Sequence, residues 1–286
     1  MWLITFTDRP SLRRASVVWP HLMRRNIWTD SVRPDVSANP FPPTSQALSE
    51  PNGLLAQGGD LSPETLLLAY AQGIFPWFNE GQEILWWSPD PRMVLKPSEV
   101  HISRSLRRTI RSSAWQLRYD SNFASVIKYC ATSRRDAGVG ADTWITADML
   151  DAYTALHHLG IAHSIEVFAG DRLVGGLYGL LIDSVFFGES MFHAQTDASK
   201  VAFVALSVLC ANLGVDLIDC QVKNPHLESL GATTLSRQDF EKALRGAIKQ
   251  PMASILTNPR CLLPATPEAL DARGSGQAPR EVKDLL

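Results

Sequence analysis

Apolar positions gather between Phe41 and Leu263, and their spacing changes period several times along that span. Ser62-Pro63 ahead of an apolar run predicts a helix to about Gln72, with serine as N-cap, proline in the first turn and Gly73 as the stop. The Pro- and Trp-rich stretch Phe75 to Pro91 reads as strand and irregular loop. Residues 103–112 and 146–159 look helical, and Gly160 ends the second. Three apolar segments follow, Ala162 to Phe168, Leu173 to Ile182 and Val185 to Phe192. The turn signals Gly170-Asp171 and Asp183-Ser184 between them predict an antiparallel meander. Asp197 then caps a strongly apolar helix, Lys200 to Leu213, with Gly214 past its end, and Val215 to Gln221 is a strand again. A meander followed by helix and strand is a mixed α/β arrangement. Residues 1–40 lack lasting periodicity and read as an N-terminal extension, with Met23 an alternative start. Pro264 to Leu286, rich in Pro, Gly, Ala and charge, reads as a disordered tail.

Composition narrows this picture in three ways. With 286 residues, 45% hydrophobic and 20% charged, the chain has length for one large or two modest globular domains. The formal net charge of −2 means that any RNA-binding surface must be a local basic patch. Four cysteines without a CxxC pair argue against structural zinc and a disulfide framework, and for a reducing cytoplasm. No membrane is implied: the longest apolar run, Val201 to Ala211, falls short of the roughly 20 residues a span needs. Arg13-Arg14 imitate a twin-arginine signal, but Pro20 and His21 interrupt the stretch behind them.

Candidate chemistry lies in a few places. Arg104, Arg107, Arg108 and Arg111 fall at i, i+3, i+4 and i+7, on one helical face, with Ile102, Leu106 and Ile110 towards the other. Such a stripe suits phosphates, or is a solvated surface. Trp77, Trp86, Trp87 and Trp144 sit in polar or Pro-rich surroundings, where they stack on a base or pack at a domain junction. In the strand Leu217 to Gln221, alternation puts Asp219 and Gln221 on one face and Ile218 and Cys220 on the other. An acid beside an amide can position an attacking amine, while Cys220 points to the apolar side and loses interest as a nucleophile paired with His226. Glu189, between Phe186-Phe187 and Met191-Phe192, either awaits a cationic ligand or pairs with an arginine of the chain. His157, His158 and His163 lack metal-ligand spacing. Gly175-Gly176-x-x-Gly179 is not a dinucleotide fingerprint, and no phosphate loop or CoA pyrophosphate loop occurs, so no cofactor is indicated.

A series of strings in one order carries a resemblance: PNGLLAQGGDLS (51–62), GIFPWF (73–78), ILWWSPDPR (84–92), HISRSL (101–106), TWIT (143–146), AHSIE (162–166), LVGGLYGL (173–180), FFGESMF (186–192), LIDCQ (217–221) and HLESLGA (226–232). Together they closely resemble the bacterial leucyl/phenylalanyl-tRNA–protein transferase family, from about Phe41 to Leu263. The resemblance implies a small N-terminal α/β domain (41–91) on a larger domain (92–263) similar to acyl-CoA N-acyltransferases. It implies transfer of leucine, phenylalanine or methionine from aminoacyl-tRNA to proteins with N-terminal arginine or lysine. No CoA, metal or ATP is needed, and the products pass to an N-degron adaptor and protease. Position by position, Asp219 and Gln221 match the family's catalytic pair, Asp219 polarising Gln221. Glu189 matches a residue holding the amine or the basic side chain. Trp77 and Trp144 match the clamp on the terminal adenosine, and Arg104, Arg107, Arg108 and Arg111 the tRNA-binding helix. Leu177, Phe186, Met191, Phe203, Leu206 and Ile218 match the aminoacyl pocket, although alternation puts Ile218 away from Asp219, so a twist or bulge is required there. Asp142, Phe168 and His193 stand where the family usually has glycine, tryptophan and serine. Two other classes share parts of this pattern: a transferase to a cell-wall precursor, which should be longer with a duplicated domain, and a non-catalytic RNA-binding protein, indifferent to loss of Asp219 or Gln221.

Overall fold

The computed structural model describes residues 39–136, 145–249 and 281–286. Strands β1 (Leu54–Gln57), β2 (Phe75–Pro76) and β3 (Leu85–Trp87) form a three-stranded sheet in the order β1-β3-β2. Helix α1 (Pro63–Tyr70) lies between β1 and β2 in sequence, and the Ser62 hydroxyl caps it by accepting from Thr65 N–H. Trp86, at the middle strand, is fully buried core rather than an exposed stacking surface, and its Nε1–H donates to Gly58 O at 2.8 Å.

The remaining strands make one mixed seven-stranded sheet, ordered β10-β4-β9-β8-β7-β6-β5. They are β4 (Arg92–Leu95), β5 (Gln116–Tyr119), β6 (Ala162–Ala169), β7 (Arg172–Ile182), β8 (Val185–His193), β9 (Leu217–Gln221) and β10 (Thr233–Leu235). β6, β7 and β8 are the antiparallel meander read from the sequence, and β8 pairs with β9 in parallel across helix α5 (Ala198–Asn212). The mixed α/β class expected from the sequence is thus the one observed. β6 to β8 are buried along almost their whole length because helices cover both faces. Against one face pack α1, α3 (Phe123–Asp136) and α4 (Ala147–His158), bringing Tyr70, Val126 and Tyr153 among others. Against the other pack α5 and α2 (Arg104–Ser112), with Phe203, Leu206, Leu106 and Ile110. Short α6 (Pro225–Glu228) and α7 (Arg237–Ala247) follow β9 and β10, and α7 returns Phe240 to the first face.

Two expectations need correction. Asp197 stands at the N-terminus of α5 in a left-handed conformation (φ 68°) and makes no side-chain cap; its carboxylate accepts from Thr109 on α2 and from Lys200. Part of the supposed disordered tail is packed: residues Val282–Leu285 form a 3₁₀ turn with Val282 and Leu285 buried beside Leu106, Ile110 and Leu117. Two apolar side chains in six residues anchor a segment whose composition otherwise reads as free chain. Among the described residues no helix is long and apolar enough to cross a membrane.

Candidate active site

β8 and β9 pair only as far as Phe187↔Asp219, although both strands continue. Each is irregular just beyond that point. On β8, Ser190 opposes Tyr178 and Gly188 opposes Gly179, so Glu189 has no cross-strand partner. On β9, Gln221 opposes Met93 and Asp219 opposes Val94, so Cys220 has none. One extra residue on a strand is a bulge, which bends the strand and re-aims side chains. Gln221 also has φ 62°, and Val222 N–H bonds to Cys220 O at 2.9 Å, closing a γ-turn around it. A non-glycine residue held there costs about 1–3 kcal/mol. Two adjacent irregularities therefore bring Glu189 and Gln221 together where the sheet parts.

The polar centre is fully enclosed: Arg92, Glu189, Asp219 and Gln221 are each 0–1% exposed. Arg92 grips Asp219 with two bonds, Nε to Oδ1 at 2.8 Å and Nη2 to Oδ2 at 2.6 Å. Asp219 Oδ1 also accepts the Gln221 backbone N–H at 2.9 Å. The side-chain amide of Gln221 instead donates Nε2–H to Glu189 Oε1 at 2.8 Å. Asp219 therefore touches the backbone of Gln221, and the carboxylate touching its amide is that of Glu189. Glu189 pairs with no arginine among the described residues; its Oε1 also accepts from Tyr70 at 2.6 Å, and the Tyr70 and Tyr153 hydroxyls bond to each other. Burial pushes the Glu189 carboxyl up to about 7, helped by the nearby Asp219 charge and opposed by the Tyr70 and Tyr153 hydroxyls. Burial and the Glu189 charge in turn drive both tyrosines well above their ordinary range, so they stay protonated donors.

Alternation holds at the start of β9, where Ile218 lies on the α5 face and Asp219 on the other, and the bulge follows one residue later. Leu177, Phe186, Met191, Phe203, Leu206 and Ile218 all belong to that α5-side cluster. Gly179 leaves space for this set, because a Cβ there would stand 2.6 Å from the Phe186 ring. The bulges thus separate a polar centre on one face from an apolar group on the other, at the strands where pairing stops. Cys220 is buried among the apolar group, and burial raises its thiol far above the ordinary range, which leaves little thiolate.

The arginines lie elsewhere on the α5 side. Leu106 and Ile110 anchor α2, while Arg104, Arg107, Arg108 and Arg111 line an open hollow of 360 Å³. None of the four forms an ion pair among the described residues. Trp77 is half-buried with its ring centroid 5.2 Å from that of Trp87, whose Nε1–H donates to Trp77 O. Trp144 and Asp142 fall outside the described residues. His157 stacks on Phe123 and His163 pairs with Asp120.

Sequence reasoning missed Arg92, Tyr70 and Tyr153. The signal for Arg92 was available, since a lone arginine opening the apolar run Met93-Val94-Leu95 must be paired if that strand is buried. The tyrosines sit in apolar helical runs and resemble ordinary core.

Fold and site together define a mixed α/β protein whose ionic centre is built where two parallel strands part. The model of the leucyl/phenylalanyl-tRNA protein transferase N-terminal domain matches residues 59–90, and that of the leucyl/phenylalanyl-tRNA protein transferase matches residues 94–245. Proteins named leucyl/phenylalanyl-tRNA–protein transferase are similar over most of their length. That of Nitrosomonas europaea is 56% identical over 213 residues, 74% of this chain and 89% of that protein. That of Xanthomonas euvesicatoria is 58% identical over 201 residues, 70% and 80% respectively. The chain belongs to the leucyl/phenylalanyl-tRNA–protein transferase family. The solved structure of L-PGS from Bacillus licheniformis overlaps weakly, with TM-score 0.38 and 9% identity over 66% of this chain and 71% of that one.

Proposed function

We propose that this chain transfers leucine, phenylalanine or methionine from aminoacyl-tRNA to the α-amino group of proteins that begin with arginine or lysine. The observation that carries the reading is the Gln221–Glu189 bridge at the parting of β8 and β9. The Glu189 carboxylate only accepts, so the amide nitrogen of Gln221 faces it and the amide oxygen faces the other way. That oxygen accepts a hydrogen bond from the incoming amine and aims its lone pair at the ester carbonyl. A new C–N bond forms and the C–O3′ bond to the ribose breaks. A neutral amide is too weak a base to keep the proton, so its oxygen takes it as Nε2–H passes one to the Glu189 carboxyl at about 7. The reverse relay returns a proton to the leaving oxygen. No CoA, ATP or metal enters, because the aminoacyl ester is already activated.

In this reading the cluster of Leu177, Phe186, Met191, Phe203, Leu206 and Ile218 receives the apolar side chain of the donor. The arginine face of α2 holds tRNA phosphates, with Trp77 and Trp144 on the terminal adenosine. The products are cytoplasmic substrates for an N-degron adaptor and protease. The test is transfer itself, from tRNA charged with labelled leucine to an acceptor beginning with arginine, beside an alanine-initiated control. Label on the arginine-initiated acceptor alone, without CoA or ATP, is the expected result. No label, with intact charged tRNA and folded protein, contradicts the proposal.

A further inference from the structure

The ionic pair under Gln221 is held from parts of the chain remote from the reacting groups. Arg92 is 0% exposed, yet only Nε and Nη2 are bonded, both to Asp219, and Nη1 has no hydrogen-bond partner among the described residues. Aromatic faces supply the rest of its environment: the guanidinium carbon lies over the rings of Phe75 and Phe240, 4.7 Å from each centroid. Phe75 comes from the three-stranded sheet and Phe240 from α7, near opposite ends of the folded chain. The Phe240 ring reaches this place because residue 73 is glycine. Gly73 has φ 75°, and a Cβ on it would stand 2.7 Å from the Phe240 ring. One contact chain therefore runs from Gly73 through Phe240, Arg92 and Asp219 to the backbone N–H of Gln221.

We infer that Arg92 is a positioning residue for the transfer reaction, acting through Asp219, and that the rings of Phe75 and Phe240 set its position. This deepens the proposed function and rests on it. The left-handed turn at Gln221 is strained, and a strained backbone persists only where its surroundings over-determine it. Asp219 Oδ1 accepts Gln221 N–H, but a carboxylate on a strand can rotate; the two-pronged grip of Arg92 removes that freedom. The rings lie over the guanidinium and add cation–π attraction without competing with Asp219 for its bonded edge. Arg92 needs no contact with substrate. Its planar fork is the property that counts, so lysine, a point charge, should not replace it.

The experiment measures kcat and KM for charged tRNA, and the pH profile, in full-length wild type, Arg92→Lys, Asp219→Asn and the double variant. Wild-type transfer is the control for the underlying reading: if the wild type is inactive, the proposed function fails before this inference is tested. With an active wild type, each single change should lower kcat about 10²-fold, leave KM for tRNA unchanged and leave the pH limbs in place. The double variant should be no slower than Asp219→Asn alone, because Arg92 acts only through its partner. A wild-type kcat in Arg92→Lys overturns the inference, and so does a double variant whose loss is the product of the two single losses. Phe240→Leu, which keeps both charges, is the second arm should Arg92→Lys fail to fold. It should lower kcat several-fold at unchanged KM, and a kcat equal to wild type overturns the inference.

Discussion

The arginine face of α2 and the Arg92–Asp219–Gln221–Glu189 centre are both charged, and they differ in almost everything else. The first is a regular helix in water, with its apolar side chains anchored and its charges open to a hollow. The second is dry, its charged groups are held by buried neighbours, and two bulges and a left-handed turn shape it. Charges in water are screened, adapt and contribute little each. Charges buried in fixed positions are costly to assemble, yet they need no reorganisation when a reaction changes the charge nearby. The contrast assigns affinity to the helix and rate to the centre.

The largest expected effect is on rate. Glu189→Gln removes the proton acceptor and Gln221→Ala the orienting amide, and each should lower kcat about 10²- to 10⁴-fold with tRNA affinity unchanged, as read by single-turnover transfer and filter binding. If either keeps the wild-type rate, the centre is structural and the comparison fails.

Next is a stability effect in the opposite direction. The Glu189 carboxyl is raised from 4.5 to about 7 on folding, so the folded state holds a proton that the unfolded state releases. That stability is fully present below about pH 4.5 and is lost as pH rises through about 7, a difference of about 3 kcal/mol. Glu189→Gln should flatten this dependence, and at pH 8 the inactive variant should melt above wild type. Thermal melts between pH 5 and 8 read both.

A smaller effect belongs to α2. Each single Arg→Ala change there should weaken tRNA binding about 1.5- to 5-fold, and changing all four should lower the slope of log K against log salt by up to about 4. A slope unchanged in the quadruple variant removes the helix from RNA binding. The smallest effect on transfer is expected at the turn packed against the apolar side of α2. Leu285→Ala, at the packed C-terminal turn, should cost about 2 kcal/mol in denaturant unfolding and leave the per-molecule transfer rate unchanged.

Much of this architecture was legible because the deciding signals are local. Serine, proline and glycine mark the ends of α1, turn residues separate β6, β7 and β8, and the spacing of four arginines fixes one face of α2. The α3 helix went unread because Phe123–Asp136 mixes apolar and polar residues without a clean stripe. Asp219 and Gln221 were found as a pair by strand alternation, and Ile218 was placed on the opposite face correctly. The contact between them was misjudged, because alternation assumes a regular strand and the bulge at Cys220 turns the Gln221 side chain to Glu189. Arg92 and Tyr70 reach the centre only through tertiary packing, 127 and 119 residues from their partners in sequence, a relation no local pattern encodes.

The division of labour is tested most directly by single-turnover transfer of labelled leucine across a range of charged-tRNA concentrations, for Gln221→Ala and for the quadruple arginine variant. The arginine variant is expected to regain the wild-type rate at saturating tRNA, and Gln221→Ala to stay slow at every concentration. Recovery of Gln221→Ala at high tRNA, or an arginine variant that stays slow when saturated, would contradict the account.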